Sequence, residues 1–235
     1  MKDLFGKAIL DFQTNNSPED IITETSISEA DEMSIFYLFR SYDEMPKLEQ
    51  KAIQLAKGKV LDVGCGAGSH SLTLQNNQNL NVTSIDISPN AIEACQLRGL
   101  KNAKVQDIMT LENEKFDTIL LLMNGTGIFG TLKETPNYLQ KLKSLLNPNG
   151  QILIDSSDII YMFDDDKDGG KWIPGNQYYG ELTFTITYKN EIEKTFPWLY
   201  LDYNSLQNAA LANGLQCELI LEGEHYDYLA RISVG

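Results

Sequence analysis

Positive charge is scarce in this sequence. Nineteen Lys and Arg face 33 Asp and Glu, a net charge of −14, and only Arg40, Arg98 and Arg231 are arginines. A surface that follows nucleic-acid phosphates needs a basic stripe, and attachment to anionic lipid needs a basic cluster. The charge balance argues against both, so no nucleic-acid or membrane partner is expected. Cysteine is also sparse. Cys65, Cys95 and Cys217 are odd in number and widely spaced, with no Cys-x-x-Cys pair, which reads as reduced thiols in a cytoplasmic setting. The N-terminus lacks the apolar stretch of a signal peptide. No run of about 18 apolar residues is present to span a membrane. No metal site is expected either. Asp164, Asp166, Asp168 and Gly169 imitate the start of a calcium loop, but Gly175 stands where the bidentate glutamate would be needed, so the run reads as a solvated loop.

What the chain has is ordinary globular material, 42% hydrophobic and 22% charged over 235 residues. That suffices for one α/β domain with an appendage, and for a core that needs no staple. Residues 1–25 are polar, weakly patterned and read as partly mobile. Ser26 with Glu29 suggests a capping box opening a helix through Ile35, Phe36, Leu38 and Phe39. Pro46 suits the first turn of a second helix, closed by Gly58. Strands are then expected at 60–63, 81–87, 103–108, 116–123 and 151–155. Helices start at Ser88-Pro89 and Thr135-Pro136. Residues 116–123 are apolar without alternation, as a strand buried on both faces should be. Strands alternating with helices indicate a parallel sheet covered on both sides.

The last third changes character. Residues 181–188 alternate strictly, with Leu182, Phe184, Ile186 and Tyr188 on one face. Lys189-Asn190 is a turn, and 192–201 return as the second arm of a hairpin. A helix at 204–213, stopped by Gly214, and strands at 216–222 and 226–234 finish the chain. Eleven of the 22 aromatics fall in 161–203. They suit a satellite core, the wall of a ligand pocket, or both.

The informative stretch is Asp62-Val63-Gly64-Cys65-Gly66-Ala67-Gly68. A strand ends next to an acid, and a turn follows with glycines at alternate positions, where backbone can meet a ligand directly. A dinucleotide fold would place the third glycine one position later. The pattern resembles the first motif of the class I S-adenosylmethionine-dependent methyltransferases. Asp86, 22 residues after Gly64, matches the acid that ends the family's second strand, and Asp107 matches the acid near the adenine amino group. Leu146-Asn147-Pro148-Asn149-Gly150 is similar to the family's turn before its fifth strand. The likeness covers roughly residues 45–155, and 203–235 fit the last helix and the antiparallel sixth and seventh strands.

The resemblance implies a doubly wound, mostly parallel seven-stranded sheet (a Rossmann-like α/β fold). Residues 1–44 would be an N-terminal helical cap, and 45–235 the methyltransferase domain with a hairpin inserted at about 157–202. It implies S-adenosylmethionine as cofactor, touched by Asp62, Gly64, Cys65, Gly66, Asp86, Ile87, Asp107, Ile108, Asn124 and Arg40. As a carboxylate, Asp86 can accept from both ribose hydroxyls. Asp107 and the Ile108 N–H suit the adenine, and Arg40 suits the cofactor carboxylate. Blander roles stay open for each: Asp86 as a helix-capping acid, Asp107 as a loop acid, Asn124 as a turn residue, Arg40 on an amphipathic helix and Cys65 as a small filler. Tyr37, Trp172, Trp198 and Tyr200 are candidates for the acceptor wall. His70 and His225 are weak candidates for a general base, and as easily surface or packing residues. The expected activity is methyl transfer to a small neutral, cationic or aromatic acceptor. Asn124-Gly125-Thr126-Gly127 departs from the Pro-Pro-aromatic signature of enzymes that methylate nucleic-acid amino groups. A nicotinamide oxidoreductase, a non-catalytic binding protein and a protein methyltransferase are the rivals.

Overall fold

The computed structural model describes residues 2–163, 170–171, 173, 175 and 177–235. Its centre is a seven-stranded sheet made of β3 (Lys59–Val63), β4 (Asn81–Asp86), β5 (Ala103–Val105), β6 (Phe116–Leu121), β7 (Leu146–Ser157), β11 (Leu215–Glu222) and β12 (Asp227–Val234). The order across the sheet is β11-β12-β7-β6-β3-β4-β5. Pairings from β5 through β7 are parallel; β12 is antiparallel to both β7 and β11, so β12 alone runs against the rest. The chain builds outward from β3 to β5, then returns to place β6 on the other side of β3. The crevice at that reversal, at the carboxyl ends of the strands, is where open α/β sheets hold ligands.

Helices α2 (Lys47–Leu55), α3 (Ser69–Asn77), α4 (Pro89–Leu97), α5 (Thr135–Ser144) and α6 (Tyr203–Ala212) cover the sheet. Ser88 caps α4, its hydroxyl accepting the Ala91 N–H, with Pro89 in the first turn as the sequence predicts. Leu61, Ile119, Leu139, Leu142 and Ile152 lock one face in a fully buried cluster. Ala52, Ile53, Val60, Leu74, Leu120, Leu153 and Leu229 lock the other. Truncating any one of these leucines to alanine should cost about 2–5 kcal/mol. The predicted turn at 147–150 survives inside β7 as a four-residue bulge: Leu146 pairs with Phe116, and Gln151 with Thr118.

The N-terminal region differs from the sequence reading in detail. Residues 4–14 form a regular helix, α1 (Leu4–Thr14), because Leu4, Ala8 and Ile9 make a buried stripe at helical spacing. Ser26 and Glu29 do not open a helix. They belong to a hairpin of β1 (Ile21–Thr25) and β2 (Ser28–Met33), favoured by the β-branched run Ile21-Ile22-Thr23. Ser26 instead exchanges hydrogen bonds with the Thr183 backbone. The helical continuation is a single 3-10 turn, Ile35–Phe39, and the capping box forms at Ser41 and Glu44.

The inserted hairpin is β8 (Glu181–Tyr188) returning through the short β9 (Glu191–Ile192) and β10 (Phe196–Leu199). It does not stand alone. β1 pairs with β8, so the N-terminal hairpin and the insertion form one accessory sheet ordered β10-β8-β1-β2. Ile21, Ile186 and Tyr188 from this sheet pack with α1, α4 and Ala67 of the glycine turn.

Candidate functional site

The glycine turn after β3 is held from behind. The Gly64 and Cys65 N–H groups donate to the Ile85 carbonyl, and the Gly66 N–H donates to Asp86 Oδ2 at 3.0 Å. Gly64, Gly66 and Gly68 have φ of +70°, +53° and +81°, in the left-handed region that favours glycine. They serve different ends. A Cβ at Gly68 would strike Leu100 and Cys95, so that glycine is required by packing. A Cβ at Gly64 or Gly66 would meet nothing within 4 Å, so the front of the turn faces open space.

Asp86 ends β4 beside that opening. Besides the Gly66 bond, its Oδ1 accepts the Ser88 N–H at 2.9 Å. Burial pushes its carboxyl above the ordinary range, against the two N–H bonds, and Asp3 and Asp62 push the same way. Next to it Ile87 is 59% exposed, an apolar surface offered to the crevice. Asp107 is exposed and caps the turn Ile108–Thr110, its Oδ1 accepting the Met109 N–H at 2.8 Å; the Ile108 side chain is buried. Asp62 sits behind the turn. It is 2% exposed and accepts from Ser71 Oγ at 2.6 Å, which fixes the start of α3 under the loop. Cys65 is buried and turns its thiol toward Cys95, so only its backbone is available to a ligand.

Arg40 is 4% exposed. Its guanidinium pairs with Glu49 of α2, donates to the Tyr37 carbonyl and lies 4.0 Å over the Tyr37 ring. Its Nε is buried with no hydrogen-bond partner among the described residues. Glu49 also meets His70 Nε2 at 2.5 Å. Burial alone would raise Glu49 and lower His70, but each group's partners outweigh it: His70 and Arg40 hold the Glu49 carboxyl down, and Glu49 holds the imidazole up. His70 is therefore a buried ion-pair partner rather than a free base. His225 lies exposed in the β11–β12 turn, its N–H bonded to Asp227.

On the other side of β3 the edge is built by long-range polar contacts. Asn124, with φ +60°, gives its amide to neighbours: Oδ1 accepts from Ser156 Oγ at 2.8 Å, and Nδ2 donates to the Leu199 carbonyl at 3.3 Å. Thr126 Oγ1 donates to the same carbonyl at 3.0 Å. Trp198 lies against Gly127, where an added Cβ would fall 2.0 Å from its ring. Tyr200 and Trp198 both pack with Phe184. Tyr37 is 42% exposed. Trp172 and the acidic run 164–169 lie outside the described residues. Among the described residues no cluster of His, Cys, Asp and Glu is placed to hold a metal, and no helix is long and apolar enough to cross a membrane.

Glu49 and Asp155 form part of this edge, yet nothing in their local sequence marks them. Glu49 reads as one more charge on an amphipathic helix. The only available signal was that it falls on the α2 face shared with Ala52 and Ile53, where a lone acid needs a partner.

The fold and the crevice together define an α/β protein of the kind that binds a nucleoside cofactor, with an open glycine turn and acids at the ends of the next two strands. The donor set fits such a group: an open cradle at Gly64 and Gly66, a carboxylate at its rim, and an unpartnered buried Arg40 Nε. Residues 55–198 match a family described as the methyltransferase domain. A methyltransferase of Bacteroides fragilis, solved in complex with S-adenosyl-L-homocysteine, is 43% identical, with a TM-score of 0.92 over 100% of this chain and 95% of that one. A methyltransferase of Clostridium acetobutylicum is 16% identical, with a TM-score of 0.59 over 82% and 94%. An amino pentose methyltransferase of Micromonospora echinaspora, bound to S-adenosylmethionine, gives 16%, 0.59, 85% and 94%. No curated protein matches the chain. The chain belongs to the S-adenosylmethionine-dependent methyltransferases, and S-adenosylmethionine is its cofactor.

Proposed function

We propose that this methyltransferase acts on a small-molecule acceptor, and that it works mainly by positioning. The observation that carries the proposal is the roof on the acceptor side. β10 is bonded through Leu199 to the turn after β6, and Trp198 rests on Gly127 of that turn. Aromatic side chains thus wall the crevice where an acceptor would approach, and the charge of −14 favours a neutral or cationic molecule.

In this reading Asp86 accepts from the ribose hydroxyls, while Asp107 and the Ile108 N–H meet the adenine beside Ile87. The Gly64–Gly66 backbone lies under the amino-acid portion, and Arg40 Nε faces its carboxylate with Glu49 and Tyr37 fixing the guanidinium. When bound, the cofactor supplies an activated methyl group on a sulfonium. The chain's own contribution is to exclude water and hold the acceptor in line, which can supply roughly 7–11 kcal/mol of a barrier. Tyr37, Trp198 and Tyr200 form the acceptor wall. A base is needed only for an acceptor that arrives protonated. His70 is committed to Glu49, so no histidine is assigned that role.

A screen that follows S-adenosyl-L-homocysteine release tests the proposal. Small amines, phenols and carboxylates would be run beside basic protein tails and single-stranded RNA. Turnover of a small molecule is expected; turnover confined to the protein or RNA substrates would overturn it.

A further inference from the structure

The turn that leaves β6 is strained. Met123 and Asn124 are consecutive non-glycine residues in the left-handed region, with φ of +65° and +60°. Such backbone persists only where its surroundings impose it, and it gathers at functional sites. Here one side chain imposes it. Asp155 Oδ2 accepts the Met123 N–H at 3.0 Å, and Oδ1 accepts the Gly125 N–H at 2.9 Å. Asp155 is 8% exposed, inside β7, and both of its oxygens are used as acceptors. The ionised carboxylate is the stronger acceptor at both positions.

The turn joins the two halves of the crevice. Met123 packs against the apolar cluster that contains Ala67 of the glycine turn and Ile35 and Leu38 of the N-terminal segment. Asn124 and Thr126 reach Ser156 and the Leu199 carbonyl of β10. We propose that Asp155 is a positioning residue whose carboxylate holds the Met123–Gly125 turn in the conformation that couples the cofactor cradle to the acceptor roof. The proposal rests on the reading of the crevice given above. Asp155 touches neither reacting group in it and acts through the turn.

A consequence is sensitivity to pH. Burial raises the Asp155 carboxyl to about 6, against its two N–H bonds. Glu49 of α2 pushes it up and His70 of α3 pulls it down, while Tyr37 and Tyr228 of β12 also face it. A proton on Asp155 weakens the acceptor that carries it and loosens that end of the turn.

Two readouts test this. The first is calorimetric titration with S-adenosyl-L-homocysteine at pH 7.5 and pH 5.3. If only the ionised form binds well, the wild-type affinity falls about sixfold over that interval. D155N is expected to be weak at both values and to lose the wild-type slope, apart from what Asp86, Glu49 and His70, still present, contribute. M123G needs no carboxylate to sit at positive φ, so it loses most of the slope whatever its lost packing costs in affinity, and D155N lowers affinity less in the M123G background than in wild type. The second readout needs no ligand. Amide exchange over 122–126 should quicken in D155N, and in wild type at low pH after correction for intrinsic rates. A D155N protein that keeps the wild-type slope would overturn the proposal, as would an M123G protein that keeps it if D155N fails to fold. Unchanged amide exchange in D155N would do the same. Absence of homocysteine-adduct binding by wild type at pH 7.5 would instead strike the crevice reading, and the exchange data would still decide the role of Asp155.

Discussion

The two halves of the sheet's carboxyl edge are built in opposite ways. From β3 to β5 the edge is local. A turn of alternate glycines exposes its backbone, one acid closes each following strand, and the bonds that hold the turn from behind, to Ile85 and Asp86, span one strand crossing. From β6 to β7 and β10 the edge is a web of distant side chains, in which Asp155 accepts the Gly125 N–H, Ser156 donates to Asn124, and Asn124 donates to the Leu199 carbonyl. The first half offers a fixed chemistry that a cofactor needs unchanged. The second draws one of its partners, Leu199, from the inserted hairpin.

Substitutions should separate the halves, the largest effects falling on the cradle. Gly66→Val fills the open face and strains a φ of +53°; affinity for S-adenosyl-L-homocysteine is expected to fall about a hundredfold, some 2.7 kcal/mol, by calorimetry. Asp86→Ala should lose at least about tenfold, about 1.4 kcal/mol, with the circular dichroism spectrum unchanged. Unaltered affinity in a folded D86A protein would remove the ribose assignment. Gly127→Ala acts on the other half. Its methyl group would overlap the Trp198 ring, so stability should drop by about 1–3 kcal/mol in denaturant melts while cofactor affinity stays within about twofold. Equal loss of affinity in G127A and D86A would break the comparison.

The smallest effect is on stability against pH. The Asp155 carboxyl is raised from 3.8 to about 6 in the folded protein, so its proton favours folding. That contribution is present below the unfolded value and lost as pH rises through about 6. Relative to D155N, which lacks the group, wild type should therefore gain thermal stability as pH falls from 7.5 toward 5.3. A difference in Tm that is constant over this interval would show that the carboxyl does not titrate there.

The same division explains what could be read from the sequence. The strands of the sheet, the Ser88-Pro89 helix start and the Asp62–Gly68 turn are signalled by neighbours in the chain, and they appear where expected. So does the face of β8 that carries Leu182, Ile186 and Tyr188. The edge around Asp155 was not legible, because a buried acid in an apolar strand reveals its role only through the turn it meets 30 residues away. The partnership of β1 with β8 was hidden for the same reason: Thr23 and Ile186 are 163 residues apart, and local patterning around Ser26 and Glu29 favoured a helix. Arg40 was visible as a residue, but the Glu49 that fixes it was not.

The most direct test is titration of the wild-type protein with S-adenosylmethionine, S-adenosyl-L-homocysteine and NADH. Binding of the first two at about micromolar Kd, and none of NADH, is the expected result. Binding of NADH in competition with the homocysteine adduct, or no binding of either sulfur compound, would contradict a cofactor seated on the Gly64–Gly66 turn with its ribose on Asp86.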